Sequence, residues 1–346
     1  MTGHPQNPGR RRRARRAVVG GVVIFAGLQL GFGMIAEARP RVRDPLYGDK
    51  LTKLKRRLRD SDGTRGVVML GSSRTGLAFH AAKVEGQVAG VVAFNFGVPS
   101  AGPVTQLVYF ERLLRDGVTP DLLLVEVLPS LLMPTADGRP RESGLLFADR
   151  LTLSECDAVA RYGFPSDAVH ARWARTVALP CYWLRFQTLT RVLPSSLPWQ
   201  ARCDWSRGAD DDGFSRASVQ TIDAAKRTEL TENARREYAP VLADFTPGGP
   251  ALSALEDLLA RCREREIAVR LVLMPESSGF RGYFPADGYA RLLTRLGELG
   301  VPLVNARDWL GDDAFYDGHH TFVAGADAFT ERLTREAIVP AQKAGR

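Results

Sequence analysis

The sequence predicts an α/β protein: a parallel sheet covered by helices on both faces, with a helical insertion and one N-terminal transmembrane helix. Short runs that are apolar throughout alternate with helical patterns, which is typical of buried parallel strands. This alternation stops near residue 135 and resumes near residue 246. An uncharged run of twenty residues lies near the N-terminus, before the first predicted strand. With 45% hydrophobic and 25% charged residues among 346, the composition is that of a packed globular protein.

The N-terminus has the pattern of a membrane anchor. Residues 1–16 form a basic tail with six arginines, and residues 17–36, AVVGGVVIFAGLQLGFGMIA, carry no charge. A helix of this length spans a bilayer core of ~30 Å, and the positive-inside rule keeps the arginines cytoplasmic and places the remaining chain outside. Two alternatives to a membrane anchor stay open. The segment could be a signal peptide that is cleaved after the Ala-x-Ala pattern at residues 36–38, or a buried helix of a soluble protein.

The distribution of charge excludes a large nucleic-acid surface. The chain carries a formal charge of +8, but the first 38 residues account for +5 of it. Only +3 remains for the other 308 residues, which is too little for a basic face that neutralises phosphates. No nucleic-acid partner is therefore expected.

Residues 37–65 are predicted to connect the membrane helix to the folded domain. The stretch LTKLKRRLRD has helical spacing at Leu51, Leu54 and Leu58. Its polar and basic character suggests a helix that lifts the domain away from the membrane.

The α/β domain is predicted from two separate parts of the chain, residues 66–134 and 246–340. Apolar runs predict five strands, at 66–70, 90–96, 121–128, 267–274 and 300–306. Apolar positions at helical spacing predict helices at 75–86, 103–116, 251–265 and 286–299, and a last helix that begins near Thr321.

Between the two parts lies the insertion, residues 135–245, which is rich in Arg and Trp and is predicted to be a helical cap. Four prolines act as helix stops in it, and they are Pro165, Pro180, Pro194 and Pro198. Cys181 and Cys203 flank a Pro/Ser-rich stretch, so a disulfide in an oxidising compartment and two free thiols both remain open. None of the four cysteines has the spacing of a metal site, and no metal is expected.

The candidate site residues follow the ends of predicted strands, where open parallel sheets bind their ligands. The first strand runs into Gly-Ser-Ser at residues 71–73, and Asp317 and His320 precede the last helix. A serine becomes a nucleophile when a carboxylate-oriented histidine takes its proton, so Ser73, His320 and Asp317 form a candidate triad. Two alternatives remain: the serines only cap a helix, or His319 replaces His320 as the base.

These motifs resemble those of the SGNH, or GDSL-like, hydrolase superfamily. Its first strand ends in Gly-Asp-Ser, and its last helix follows Asp-x-x-His with a glycine five residues further on. The triplet at 71–73 matches with Ser in place of Asp, while Asp317, His320 and Gly325 match the second motif. The resemblance covers residues 66–130 and 267–337.

The resemblance implies a flavodoxin-like three-layer α/β/α sandwich of the SGNH hydrolase type. It also implies roles: Ser73 is the nucleophile, His320 the base and Asp317 the group that orients the base. The Gly-Ser-Ser variant further resembles membrane-associated members such as D-alanyl transfer proteins and alginate O-acetylation proteins, and the N-terminal anchor agrees with that branch.

The oxyanion hole departs from the family pattern. The resemblance implies backbone donors at Ser73 and at Ser100 or Gly102, but the expected Gly-x-Asn-Asp is replaced by VEVLPSLL at 125–132, which contains no Asn. One missing donor costs ~3 to 4 kcal/mol of transition-state stabilisation. The candidate oxyanion or substrate-binding residues are Gly71, Arg74, Ser100, Gly102, Ser130, Ser277 and Arg281. For Arg281 the alternative is a solvated surface arginine. For Glu126 two roles stay open, which are pairing with an arginine in the core and support of the residues that form the site.

The sequence therefore predicts an extracytoplasmic acyl esterase or O-acyltransferase that acts on acylated glycans of the cell envelope or the extracellular space. Hydrolysis and transfer both remain open. No metal or dinucleotide cofactor is expected, and the predicted partners are an ester or glycan substrate, the membrane and a membrane-bound acyl-transfer protein. The alternative is a catalytically weak envelope scaffold or glycan-binding protein, which the missing asparagine favours.

Overall fold

The computed structural model describes residues 8–61, 63–144, 148–198, 208–217, 221–243 and 245–344. Five strands form one sheet in the spatial order β2-β1-β3-β4-β5, and every neighbouring pair is parallel. The strands are β1 (Arg65–Gly71), β2 (Val91–Gly97), β3 (Leu122–Glu126), β4 (Ala268–Leu273) and β5 (Leu303–Asn305). This is the flavodoxin-like order, and it confirms the predicted fold class.

The helices before the insertion are α1 (Pro8–Ala38), α2 (Pro40–Arg43), α3 (Pro45–Asp60), α4 (Ser73–Ala78), α5 (Ala81–Glu85) and α6 (Pro103–Arg115). Those of the insertion are α7 (Leu153–Ala160), α8 (Ser166–Ala178), α9 (Pro180–Trp183), α10 (Arg185–Val192) and α11 (Ala224–Leu242). Those that follow are α12 (Gly249–Glu264), α13 (Ser278–Arg281), α14 (Ala286–Gly297), α15 (Val323–Leu333) and α16 (Val339–Ala344), the last two joined by a π-helical turn, Thr334–Ile338.

Alternate side chains of each strand enter two separate cores, one on each face of the sheet. On β1, Val68 and Leu70 pack in the larger core, which includes side chains of α3, α6, α12 and α14. Val67 and Met69 point to the opposite face and pack in a core that includes side chains of α5 and α15. The strands are therefore buried on both faces, as their continuous apolar runs predict.

The segment 37–65 is part of this packing and does not act as a spacer. Tyr47, Leu51 and Leu54 of α3 are fully buried in the larger core. Asp44 caps α3 by accepting a hydrogen bond from the Tyr47 amide. The apolar stripe that predicts a helix here is thus the stripe that joins the helix to the domain.

The insertion contains the predicted helices and also a short hairpin-like segment, residues 208–217, which packs on the edge of β2. The Asn95 amide donates to the Asp212 carbonyl at 2.8 Å, and the Lys50 ammonium donates to the carbonyls of Asn95 and Gly213, at 2.9 Å each. Phe214 is fully buried. This part of the insertion therefore completes the sheet edge.

Of the cysteines, Cys156 and Cys262 are buried free thiols and Cys181 is an exposed free thiol. Cys203, the other half of the open disulfide pairing, lies outside the described residues. The pairing therefore stays a prediction.

Within the described part of the chain, one helix, Gly9–Ala38, is long and apolar enough to cross a membrane. This helix contains the predicted span, residues 17–36, and extends beyond it at both ends. Most of its surface is not covered by the rest of the chain.

Candidate active site

The candidate site lies at the carboxyl edge of the sheet, beside the switch point between β1 and β3, where folds of this strand order bind ligands. Gly71 ends β1 and Glu126 ends β3. A Cβ atom on Gly71 would lie 2.3 Å from Glu126 Oε2 and 2.0 Å from Thr75 Oγ1. Glycine is required here because the Glu126 carboxylate passes directly beside the backbone.

The structure brings Ser73, His320 and Asp317 together. Ser73 Oγ lies 2.8 Å from His320 Nε2, and His320 Nδ1 lies 2.6 Å from Asp317 Oδ2. With the ring proton on Nδ1, His320 donates to Asp317 and its Nε2 accepts from the Ser73 hydroxyl. This is the relative arrangement by which a histidine takes the proton of a serine nucleophile.

Ser73 begins α4, and its neighbour Ser72 performs the capping. The Ser72 hydroxyl accepts from the Arg74 amide at 3.1 Å and donates to Glu126 at 2.8 Å. The capping interpretation therefore applies to Ser72, while the Ser73 hydroxyl faces His320.

Glu126 holds this turn in place, which is the supporting role that the sequence left open for it. It is 1% exposed and accepts hydrogen bonds from the Ser72 amide at 2.7 Å, the Ser72 hydroxyl at 2.8 Å and the Thr75 hydroxyl at 2.6 Å. The expected core arginine is absent from these contacts. An acid inside an apolar strand was the available signal, because a buried carboxylate requires several donors.

Asp317 fixes the orientation of the His320 ring. Its Oδ1 accepts from the His320 amide at 2.8 Å while Oδ2 accepts from the ring. Burial alone would raise the pKa of Asp317, but the charge of His320 and these hydrogen bonds hold that pKa well below its usual range. Asp317 is therefore an anion at neutral pH, able to stabilise a protonated His320.

His319 lies beside the site without contacting Ser73. Its ring is 7% exposed and packs against the rings of Tyr238, Phe280 and His320. Burial, followed by the nearby His320, lowers the pKa of His319 well below its usual range. The geometry therefore favours His320 as the base.

Asp317, His319 and His320 also bring three possible metal-ligand atoms within 4.8 Å of one another. Both ring nitrogens of His320 already have partners, Ser73 and Asp317. A metal ion bound through His320 would have to displace one of these contacts. The hydrogen-bonded arrangement thus competes directly with metal binding.

Ser100 and Ser130 line the same pocket as Ser73. Ser100 has a left-handed backbone, with φ of 62°, a conformation that a non-glycine residue adopts only when its surroundings impose it. The hydroxyl of Ser130 is buried and has no hydrogen-bond partner within the described residues. The structure thus brings both residues to the pocket that contains Ser73.

Gly102 is engaged elsewhere. Its amide donates to the buried Glu142 carboxylate at 3.1 Å, and the amides of Val104 and Thr105 donate to the same group. Glu142 thereby caps α6 and uses the amide that sequence reasoning offered as an oxyanion donor. Of the two predicted backbone positions, Ser100 is the one left facing the pocket.

The two predicted arginines donate hydrogen bonds to the loops after β4 and β5. Arg74 donates to Glu276 at 3.1 Å and to the Pro275 carbonyl at 2.9 Å, although part of its side chain lines the pocket. Arg281 donates to the carbonyls of Glu276 and Arg307. Ser277 caps α13 by accepting from the Phe280 amide. These contacts tie α4 and α13 to the sheet edge.

The pocket next to Ser73 has a volume of about 190 Å³. Its wall combines the loop after β3 with the cap helix α11, and its lining beyond the residues already described consists of Leu128, Leu131, Arg141, Glu237, Tyr238 and Val241. Burial raises the pKa of Tyr238 to about 12, so this phenol stays neutral. The Ser73 hydroxyl therefore borders a small pocket whose volume limits it to a small group.

Comparisons with known proteins give one family and several solved structures. A family described as "Protein of unknown function (DUF1574)" matches residues 43–151, a segment that contains Ser73, Ser100 and Ser130 and ends before Asp317. None of the curated proteins is significantly similar in sequence.

Among solved structures, a proposed acylhydrolase from Bacteroides fragilis NCTC 9343 is similar at a TM-score of 0.38 and 10% identity, over 85% of this chain and 95% of that one. A proposed lipolytic protein of the G-D-S-L family from Desulfitobacterium hafniense DCB-2 is similar at a TM-score of 0.35 and 11% identity, over 79% of this chain and 99% of that one.

Proposed function

We propose that this protein is a membrane-anchored serine acyl esterase or O-acyltransferase whose catalytic domain lies outside the cytoplasm. The observation that carries the proposal is the chain of contacts from Ser73 to His320 to Asp317, with distances of 2.8 and 2.6 Å. The motif resemblance to SGNH hydrolases supports the same assignment. An acylated glycan of the cell envelope is the proposed substrate class.

The first half of the proposed reaction transfers the acyl group to Ser73. The Ser73 oxygen attacks the ester carbonyl carbon as His320 Nε2 takes the hydroxyl proton, and Asp317 stabilises the charged ring. The carbonyl oxygen becomes an oxyanion, for which the amides of Ser73 and Ser100 and the Ser130 hydroxyl are the proposed donors. The C–O bond to the alcohol then breaks, and His320 returns its proton to the leaving oxygen.

The second half releases the acyl group. A water molecule or a sugar hydroxyl attacks the acyl-enzyme carbonyl while His320 takes its proton, and the bond to Ser73 breaks with return of that proton to the serine. Water gives hydrolysis, whereas a sugar hydroxyl gives transfer. The outcome depends on how far α11 and the acceptor exclude water from the pocket.

The proposed anchor is α1 in uncleaved form. Glu37, at the centre of the Ala-x-Ala pattern, is bonded into the fold: it accepts from the Leu153 amide at 2.9 Å and from the Trp173 indole at 3.2 Å, and it pairs with Arg43. Cleavage in this pattern would break these contacts. The six arginines before the span support a cytoplasmic N-terminus.

The experiment is hydrolysis of p-nitrophenyl acetate by full-length protein in detergent. We expect Ser73→Ala and His320→Ala each to lower kcat by at least ~10³-fold, whereas Ser154→Ala, at an exposed serine of α7, leaves it unchanged. Equal rates for wild type and the three variants would show that hydrolysis does not depend on Ser73 or His320. That result would favour the scaffold or glycan-binding alternative. A rate that falls on addition of EDTA and returns with a divalent metal would favour the metal arrangement of Asp317, His319 and His320.

A further inference from the structure

The insertion packs against the C-terminal third of α1. The side chains of Gln29 and Ala36 are buried, and Gly33 between them is also buried. These positions are spaced by four and three residues, so they form one stripe along the helix. The large apolar side chains from Val18 to Ile35 on the other faces of α1 are 50–73% exposed.

Three contacts show that α8 and α9 run alongside α1 in the opposite direction. The Trp173 indole donates to Glu37. A Cβ atom on Gly33 would lie 3.1 Å from the Val177 carbonyl oxygen. The Cys181 amide donates to the Gln29 side-chain oxygen at 3.2 Å. Four residues forward along the insertion, from Trp173 to Val177 and on to Cys181, thus correspond to four residues back along α1.

This pairing sets the depth of α9 relative to the proposed membrane span. Gln29 lies seven residues before Ala36, the end of the apolar run, which is about 10 Å along a helix axis. If the run crosses the hydrocarbon core of ~30 Å, the start of α9 lies about 10 Å inside it. Gln29, a polar side chain within the span, finds its partner in the Cys181 amide.

The surface of the insertion in this region has the character of a membrane-facing surface. Leu179, which directly precedes α9, and Tyr182 of α9 are 44% and 55% exposed. They extend the uncovered apolar surface of α1, and a large apolar surface is unfavourable in water. Arg185 stacks over the Tyr182 ring at 4.1 Å and donates to the Tyr182 carbonyl, so its guanidinium has partners within the insertion.

We infer that the C-terminal end of α8 and α9 form a lipid-embedded element that enters the outer half of the bilayer beside α1 without crossing it. The inference rests on the membrane anchor in the proposed function. Leu179 and Tyr182 contact acyl chains, while Glu37 and Trp173 lie at the membrane–water boundary. Since α2 and α3 follow α1 directly and α3 is buried in the domain core, the catalytic domain is held at a fixed height above the lipid surface.

The experiment places a fluorescent label at single cysteines of the full chain in liposomes of phosphatidylethanolamine and phosphatidylglycerol. Cys181 and Cys203 are changed to Ser, while Cys156 and Cys262 remain because both are buried and burial raises the pKa of each thiol to about 12. Labels at Leu179→Cys and Tyr182→Cys test the insertion. Leu28→Cys on α1 is the lipid-facing control, and Thr294→Cys on α14 is the water-facing control.

We expect the labels at 179 and 182 to be quenched by doxyl groups on the acyl chains and to be roughly tenfold less sensitive to aqueous iodide than the label at 294. Iodide sensitivity at 179 and 182 equal to that at 294, with position 28 protected, would place the insertion in water and overturn the inference. An iodide-sensitive label at position 28 would overturn the anchor together with the inference. Ester hydrolysis by the same liposomes reports separately on the proposed catalysis.

Discussion

At the end of β3, the stretch in which the resemblance to SGNH hydrolases implies an asparagine contains Glu126 and Ser130 instead. Glu126 binds the turn that carries Ser73, through Ser72 and Thr75. Ser130 lines the pocket, and its buried hydroxyl has no hydrogen-bond partner among the described residues. A buried hydroxyl without a partner is unfavourable, and in the proposed mechanism it donates to the oxyanion.

Removal of the Ser130 hydroxyl tests this role. We expect Ser130→Ala to lower kcat for p-nitrophenyl acetate by roughly 10²- to 10³-fold, the usual effect of losing one oxyanion donor, with a much smaller change in KM. Because the hydroxyl has no partner among the described residues of the free protein, the melting temperature should not fall. A kcat equal to that of wild type would contradict the role of Ser130 and show that the backbone amides of Ser73 and Ser100 are sufficient oxyanion donors.

At the scale of single residues, the sequence predicted Ser73, His320 and Asp317 as a group, and the structure brings them together. It could not predict the assignment of individual donors. Gly102 is adjacent to the site, but a remote carboxylate, Glu142, takes its amide. Arg74 directly follows Ser73, yet it donates to Glu276, about two hundred residues later in the chain. Such pairings depend on the tertiary fold and leave no local pattern.

The β1–α4 turn depends on close packing between two strand ends. The Gly71 backbone has no room for a side chain because Thr75 and Glu126 are in contact across it. We expect Gly71→Ala to displace Glu126, to lower the free energy of unfolding by about 1 to 3 kcal/mol and to reduce kcat as Ser73 moves.

Gly86→Ala serves as the matched control, since the nearest atoms to its added Cβ would lie at 3.7 Å. Thermal unfolding and ester hydrolysis of both variants give the comparison. Equal melting temperatures for Gly71→Ala and Gly86→Ala would show that the turn accommodates a Cβ atom at residue 71. That result would contradict the predicted clash with Thr75 and Glu126.

Most elements of the α/β domain were predictable because burial on both faces leaves continuous apolar strands. The predicted helix at 75–86 is two helices, α4 and α5, with a break at Phe79 and His80. Thr330 of α15 accounts for this break, because its hydroxyl accepts from the His80 amide at 2.9 Å and donates to the Ala78 carbonyl at 3.1 Å. A helix interrupted by a distant side chain shows no interruption in its own apolar pattern.

Across the whole molecule, a buried ionic cluster joins the region after α1, the α/β domain and the insertion. Arg112 of α6 pairs with Asp44, which caps α3, at 2.9 Å, and with Glu155 of α7 at 2.7 Å. Burial would raise the pKa of Glu155, but the bonds to Arg112 outweigh it and lower that pKa to about 2. The cluster couples the three parts of the chain in one folded unit.

The lowered pKa of Glu155 gives the stability a definite pH dependence. Its stabilising effect is complete above the ordinary glutamate pKa of about 4.5 and is lost as the pH falls toward about 2. We expect Glu155→Gln to reduce the free energy of unfolding at pH 7 by on the order of 3 kcal/mol, with the difference from wild type shrinking toward pH 2.5.

Denaturant unfolding of the full chain in detergent at pH 7, 5, 4 and 2.5 measures this difference. Glu232→Gln is the control, because Glu232 pairs with Arg235 on the exposed side of α11 and should have no measurable effect. A difference for Glu155→Gln that stays constant from pH 7 to 2.5 would contradict the assigned pairing.

The most direct test of the central claim is reaction of the full-length protein with a fluorophosphonate probe, followed by mass spectrometry of the labelled peptide. In the proposed mechanism His320 and Asp317 activate the Ser73 hydroxyl, so we expect one adduct on Ser73 in wild type, none in Ser73→Ala and strongly slowed labelling in His320→Ala. Labelling of wild type that is no faster than that of Ser73→Ala, or an adduct on another residue, would contradict the assignment of Ser73 as the nucleophile.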